Sequence, residues 1–406
     1  MQVVHKRCAG IDVHKKTVVV CININGRLEV RTFGTTTRQL LALMDWLENE
    51  RIEIVAMEST SVYWKPVWNI LEGSECRLML VNAQHMKKVS GRKTDVKDAE
   101  WLAELLRYGL LKASNIPDRE RRELREVVRY RRSVIEEKTR TVNRIQKVLE
   151  GANIKLASVA TDITGKSGRA MLEAMAAGMT DANRLADLAV GRLVKKKTEL
   201  EEALEGTIND HQRFMLKVLL ETLTEQDRRI EEMDKEVEKR MRPFESLIEL
   251  LDPVPGIARR GAEDLLAVIG TDMSRYPDAS HLASWLRLCP GNNRSANRNG
   301  RTKPRGSPYG KALMVQLAWG AVRTNGCYYQ SQFKRLSGRR GAKRAIVAVA
   351  HSMIVAIYHM LSKKVEYRDL GANYHDEINR QKIINRSIRR LEKLGCSVRI
   401  EQPAAA

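Results

Sequence analysis

Acidic residues are missing altogether between Asp278 and Glu366, a stretch that holds sixteen lysines and arginines. So long a run of one sign excludes a basic partner and points to a polyanion. Cysteine is also thin: Cys8, Cys21, Cys76, Cys289, Cys327 and Cys396 are scattered, with no Cys-x-x-Cys pair. That spacing argues against a zinc site or a disulfide framework, and fits small buried thiols in a reducing cytoplasm. No apolar run is expected to approach the ~20 residues of a membrane-spanning helix, and no signal-peptide pattern opens the chain. A membrane partner is therefore not expected.

What is present is a chain of 406 residues, 43% hydrophobic, long enough for two or three domains with real cores. Its net charge of +21 exceeds what solubility asks and fits nucleic acid as the polyanion.

Residues 8 to 112 alternate strand and helix patterns. Val18–Ile24 is a β-branched run, Asn25-Gly26 a hairpin signal, and Leu28–Phe33 the returning strand. A helix over Leu40–Leu47, a buried strand over Ile52–Met57, a helix over Tyr63–Leu71 and a strand over Arg77–Val81 follow. The pattern predicts a three-layer α/β domain with a mixed sheet. Residues 118–150 predict a long charged helix. Leu219, Leu223, Ile230, Met233, Val237, Met241, Phe244 and Ile248 then step at heptad spacing, with Gln226 as a polar interruption and Pro243 as the stop. The spacing predicts a coiled-coil arm, serving a dimer or a rigid spacer. Pro253-Val254-Pro255-Gly256-Ile257 resembles the turn of a helix-hairpin-helix, or an ordinary helix turn. Cys289 to Leu313 is a Gly-, Asn- and Arg-rich loop without apolar periodicity, suited to phosphates, and helices are expected over 312–322 and 345–361. The last forty residues carry no functional signal.

Two constellations carry chemistry. Asp12 lies in the first apolar strand, Glu58 ends a later one, and Asp95 and Asp98 open a helix over Trp101, Leu102, Leu105 and Leu106. Carboxylates from two strands and a helix can meet and hold divalent metal for phosphodiester chemistry. Aspartates three apart at a helix start also have an ordinary role there. Just before them, Lys87, Lys88, Arg92 and Lys93 would offset a substrate's charge. The second constellation is Ser295 between Arg294 and Arg298, with Arg301, Lys303, Arg305 and Lys311 downstream. Arginines there would orient a phosphate for attack by a serine. Ser307 is a rival in the same loop, and either hydroxyl could simply bond its own loop.

GIDVHKKTVVV, AMEST followed by YW, VNAQHMKKVSGRKTDVKDAEWLAELLRYGLL, LDPVPGI and LRLCPGNNRSANRNGRTKPRG occur in that order. Together they resemble the DEDD transposases of the insertion sequence one-ten family, described as bridge-RNA-guided recombinases. The resemblance runs from about residue 8 to 365. It implies a RuvC-like domain of RNase H fold over 1–117, with the helix to 150 as an extension. It further implies a helical coiled-coil linker over 118–245, a mainly helical transposase domain over 246–365, and a helical tail over 366–406. The overall class is α/β plus α. Magnesium, with manganese as an alternative, would be held by Asp12, Glu58, Asp95 and Asp98, and Ser295 would be the nucleophile. The implied partners are donor and target DNA duplexes, a structured non-coding guide RNA, and further copies of the chain as a dimer or tetramer. Base pairing would select the site, as in other guided systems. The expected location is the cytoplasm of a bacterium or archaeon, at the nucleoid. A junction-resolving nuclease without a covalent intermediate is the alternative.

Overall fold

A computed structural model describes residues 2–59, 61–81, 95–114, 116–290, 294–295, 298–299 and 306–399. The chain divides into two compact units, Met1–Asp118 and Arg119–Ala406.

The first unit is a five-stranded sheet with helices on both faces. Its elements are β1 (Arg7–Val13), β2 (Thr17–Ile24), β3 (Arg27–Gly34), α1 (Thr37–Asn49), β4 (Ile54–Glu58), α2 (Trp64–Leu71), β5 (Arg77–Val81) and α3 (Asp95–Arg107). The strand order is β3-β2-β1-β4-β5, with β1 antiparallel to β2 and parallel to β4. The expected mixed sheet and the Asn25-Gly26 hairpin are both present. Alternation divides each strand between the two faces. Ala9, Ile11 and Val13 of β1 join Leu43, Leu47, Val67 and Leu71 of α1 and α2 in one core. Cys8 faces the other way, where it packs with Ile54, Ala56, Leu102 and Leu106.

The second unit is helical. It opens with α4 (Arg119–Gly151), the short α5 (Leu156–Val159), α6 (Lys166–Ala176), α7 (Ala182–Ala186), α8 (Lys197–Leu204) and α9 (Asp210–Met241). It continues through α10 (Glu245–Leu251), α11 (Arg259–Ile269), α12 (Ala279–Trp285) and the strands β6 (Arg294–Ser295) and β7 (Arg298–Asn299). The chain then runs through α13 (Pro308–Ala321), α14 (Tyr328–Arg340), α15 (Ala342–Lys363), α16 (Tyr374–Ile378) and α17 (Arg380–Glu392). Asn209 and Gln212 start α9 as a reciprocal capping box, and the helix ends at Met241, before Pro243.

The heptad stripe of α9 finds its partner within the chain. Lys138 reaches Asp227, Arg131 reaches Asp234, and Arg240 reaches Glu123, so α4 and α9 run antiparallel. The periodicity predicted a coiled-coil arm for a dimer or a spacer; in the structure α4 of the same chain packs along this helix. At one end of this hairpin Ile145, Leu149, Leu216, Leu219 and Leu223 join α5–α8 in a core of their own. At the other, Leu124, Val128, Val237 and Met241 enter the core built by α10–α15.

That second core corrects the expectation about apolar runs. By length and composition α15 could cross a membrane, yet Ile346, Val349, Ala350, Met353, Ile354 and Ile357 are buried against the other helices. The polar side chains of His351 and His359 interrupt the run in the sequence. Gly256, in the turn read as a helix-hairpin-helix or an ordinary helix turn, lies against α13. A Cβ there would fall 2.2 Å from the Ala321 nitrogen and 2.4 Å from the Leu317 oxygen.

The arm is tied to this core by charge. Arg131 is 1% exposed and binds Asp234 of α9 at 2.7 Å, Glu263 of α11 at 3.4 Å, and Asp264. Burial pushes the Glu263 and Asp264 carboxyls up, against the opposing pull of Arg131. Arg131→Met leaves the buried Asp264 facing an apolar side chain, while Asp234 keeps Arg260 and Glu263 keeps Arg259, and should cost about 3 kcal/mol in urea denaturation at neutral pH. A carboxyl whose folded pKa lies above its unfolded value adds stability as pH falls. The deficit should therefore narrow as the medium approaches pH ~4.

Candidate active site

Asp12 sits one residue from the end of β1 and is 6% exposed. The parallel register pairs Ile11 with Met57, so Asp12 and Glu58 stand one step further along neighbouring strands. Neighbouring strands lie about 4.8 Å apart, and residues in step share a face. This is the face of Cys8 and Gly10, the one covered by α3. Glu58 is half-buried and stands opposite Val81 of β5.

What brings α3 so close is Gly10. A Cβ at this position would lie 2.4 Å from both the Ala99 oxygen and the Ala103 nitrogen. The helix backbone thus rests directly on β1, and Ala99, Leu102, Ala103 and Leu106 are its buried face. The direction of α3 follows from its contacts. Cys8 Sγ reaches the Ala103 carbonyl at 3.5 Å, while Gly10 meets Ala99 as well as Ala103. Moving along β1 towards Asp12 therefore means moving towards the start of α3. Asp98, half-buried, precedes the sheet-facing Leu102 by one turn, and Asp95 precedes Ala99 by one turn.

Three elements thus deliver all four predicted acids to one end of the sheet. The Asp95 side chain lies outside the described residues, and among the described residues no three His, Cys, Asp or Glu side chains enclose a metal position. The donors at this end are hard carboxylate oxygens, the type that suits magnesium or manganese rather than a softer ion.

His14 is a residue the sequence reading missed. Its Nε2 lies 3.1 Å from Asp12 Oδ2. The signal was available, since residues two apart on an extended chain point to the same side.

The basic residues Lys87, Lys88, Arg92 and Lys93, expected beside the acids, lie outside the described residues, as do Arg301, Lys303 and Arg305. In the second unit, the stretch expected to be loop contains a two-stranded ribbon. Ser295 of β6 pairs with Arg298 of β7, and Arg294 pairs with Asn299. Side-chain positions in this ribbon are outside the description. Lys311 is half-buried on the first turns of α13. Ser307 is already engaged, because its Oγ accepts the Gly310 N–H at 3.0 Å as the N-cap of α13. Its own N–H donates to the Trp285 carbonyl at 2.8 Å.

Comparison with known families matches the chain over two stretches. Residues 9–154 fit the profile of DEDD transposases of the IS110 type, and residues 248–335 fit that of the transposase IS116/IS110/IS902 family. The chain belongs to this family of transposases. No curated protein matches it. The transposase is an enzyme that acts on DNA, and the DEDD type implies use of a divalent metal. Its fold is a RuvC-like N-terminal domain followed by helical structure. Asp12, Glu58, Asp95 and Asp98 fall within the first match, and Arg294, Ser295 and Arg298 within the second. Between the matches lie α5–α8 and α9.

Gly10→Ala should force α3 off β1. The expected cost is about 1–3 kcal/mol in thermal denaturation. DNA processing should fall further than the folded fraction does, because α3 carries two of the acids. Full activity in a folded Gly10→Ala enzyme would show that the seat of α3 does not position them.

Proposed function

We propose that the transposase cuts and rejoins DNA through a covalent phosphoserine at Ser295, with divalent metal at Asp12, Glu58, Asp95 and Asp98 and a structured RNA as guide. The observation that carries the serine assignment is the commitment of Ser307. Of the two serines in the loop, Ser307 is spent on capping α13, while Ser295 lies on a ribbon in register with Arg298.

In the proposed step the Ser295 Oγ attacks a DNA phosphorus. The Oγ–P bond forms, the P–O bond to the departing strand breaks, and the serine proton leaves as the departing oxygen is protonated to a hydroxyl. The phosphoserine ester keeps the bond energy, so a strand hydroxyl can reverse the step on a new partner without an external energy source. Arg294 and Arg298 would orient the phosphate and offset the charge that builds on its oxygens. Arg301, Lys303, Arg305 and Lys311, and on the first unit Lys87, Lys88, Arg92 and Lys93, would hold the backbone. The carboxylates of Asp12, Glu58, Asp95 and Asp98 would bind magnesium or manganese. Such a cation supplies charge stabilisation at the attacking and leaving oxygens. The RNA guide is supported by the family and by a net charge of +21. Assembly of two or four copies would let the acids of one copy meet the serine of another.

The test is denaturing capture of protein-linked DNA. The enzyme is co-expressed with its element's flanking DNA and supplied with donor and target duplexes and magnesium. Wild type should yield an adduct, Ser295→Ala none, and Asp12→Ala none despite retained DNA binding. Ser307→Ala should lose about 1 kcal/mol of stability and keep the adduct. Cleaved ends without an adduct, with Ser295→Ala still active, would establish a junction-type nuclease instead.

A further inference from the structure

Between α4 and the start of α13 the second unit holds an open cleft of about 590 Å³. Arg129, Arg132 and Glu136 line one wall, and Ser307, Tyr309 and Ala312 the other. The volume is in the range of small-ligand sites.

The arginines of α4 divide into two groups. Arg121 donates to Thr271 Oγ1 at 3.2 Å, and Arg125 donates to the carbonyls of Ala267 (at 2.8 Å) and Val268, closing the end of α11. Arg131 holds its three acids. These serve the fold. Arg129 and Arg132 face the cleft instead, their guanidinium carbons 5.5 Å and 5.2 Å from the Tyr309 ring centroid. Two like charges beside one ring repel each other, and Glu136 offsets only one, taking Arg132 Nε at 3.2 Å. The Tyr309 hydroxyl is closed to solvent and finds no acceptor among the described residues. The same wall is the first turn of α13, a helix of fourteen residues whose dipole is positive at this end.

We infer that this cleft binds a backbone phosphodiester of the substrate DNA, held by Arg129 and Arg132. Arginine presents the planar fork that grips phosphate oxygens, and the cleft supplies excess positive charge. Ser307, at its edge, ends the same basic loop that carries Ser295, so a strand anchored here adjoins the loop that acts on it. This last step rests on the function proposed above.

The test is binding of a labelled short DNA duplex by fluorescence anisotropy across a salt series, with the full chain. Replacing both Arg129 and Arg132 by Gln should lower the slope of log affinity against log salt by about two, one for each arginine that no longer neutralises a phosphate. Ala312→Glu places an acid at an exposed position of the cleft without disturbing either arginine. It should weaken low-salt binding roughly tenfold, and it keeps the test sound if the double variant melts early. Wild-type slope in the double variant, together with wild-type affinity in Ala312→Glu, would overturn the inference. So would a loss confined to a labelled RNA hairpin, which would assign the cleft to RNA. Ser295→Ala should bind with the wild-type slope. A failure of the phosphoserine reading would therefore show in adduct capture and leave these slopes unchanged.

Discussion

The absence of a side chain at Gly10 is the constraint on which the catalytic unit depends. With nothing projecting from β1 at that point, the backbone of α3 settles against the strand. Its first turns then arrive beside the end that carries Asp12 and Glu58. A strand cannot bring Asp95 and Asp98 there, because its spacing would alternate them to opposite faces. A helix can, since positions three and four apart share a side. The acid arrangement is thus a consequence of one contact between a strand and a helix backbone, made early in the chain and completed some ninety residues later.

In the second unit the organising contact is electrostatic. Arg131 joins the two helices of the arm and α11 in one buried cluster, and Arg125 closes the end of α11 from the same helix. Buried charge contributes little net stability when fully paired, but its directional bonds tolerate few alternative packings. Apolar contacts between α4 and α9 alone would permit sliding by a turn. The three acids fix which turn of α4 faces α11, and with it where Arg129 and Arg132 stand relative to α13.

Most of the first unit was legible in the sequence. β-branched runs marked the strands, Asn25-Gly26 marked the hairpin, and the acids stood at strand and helix ends. Beyond that, legibility followed how local the signal was. The stripe on α9 announced an apolar face, but its partner α4 is far away in sequence and rich in charge. Arg131 is one of many arginines in that helix, and only burial singles it out. The β6–β7 ribbon is made of polar residues, so no alternation revealed it. The helix α14 escaped notice because YYQSQFKRLSGRR spreads its charge around the axis. His14 stands two residues beyond Asp12, so its approach to that carboxylate depends on the extended backbone running past the end of β1.

The arm has a consequence for how such an enzyme changes over time. At 1.5 Å per residue, the 32 residues of α9 extend about 48 Å. The helices α5–α8 form their own core at one end, and α10–α15 form another at the opposite end. Substitutions in the distal bundle can be absorbed there without repacking the helices that seat Ser307. The helices α5–α8 lie outside both family matches, the first of which ends at residue 154. Such an architecture permits divergence in instalments: the distal module can be remodelled, or exchanged at the root of its two helices, while the chemistry is inherited intact.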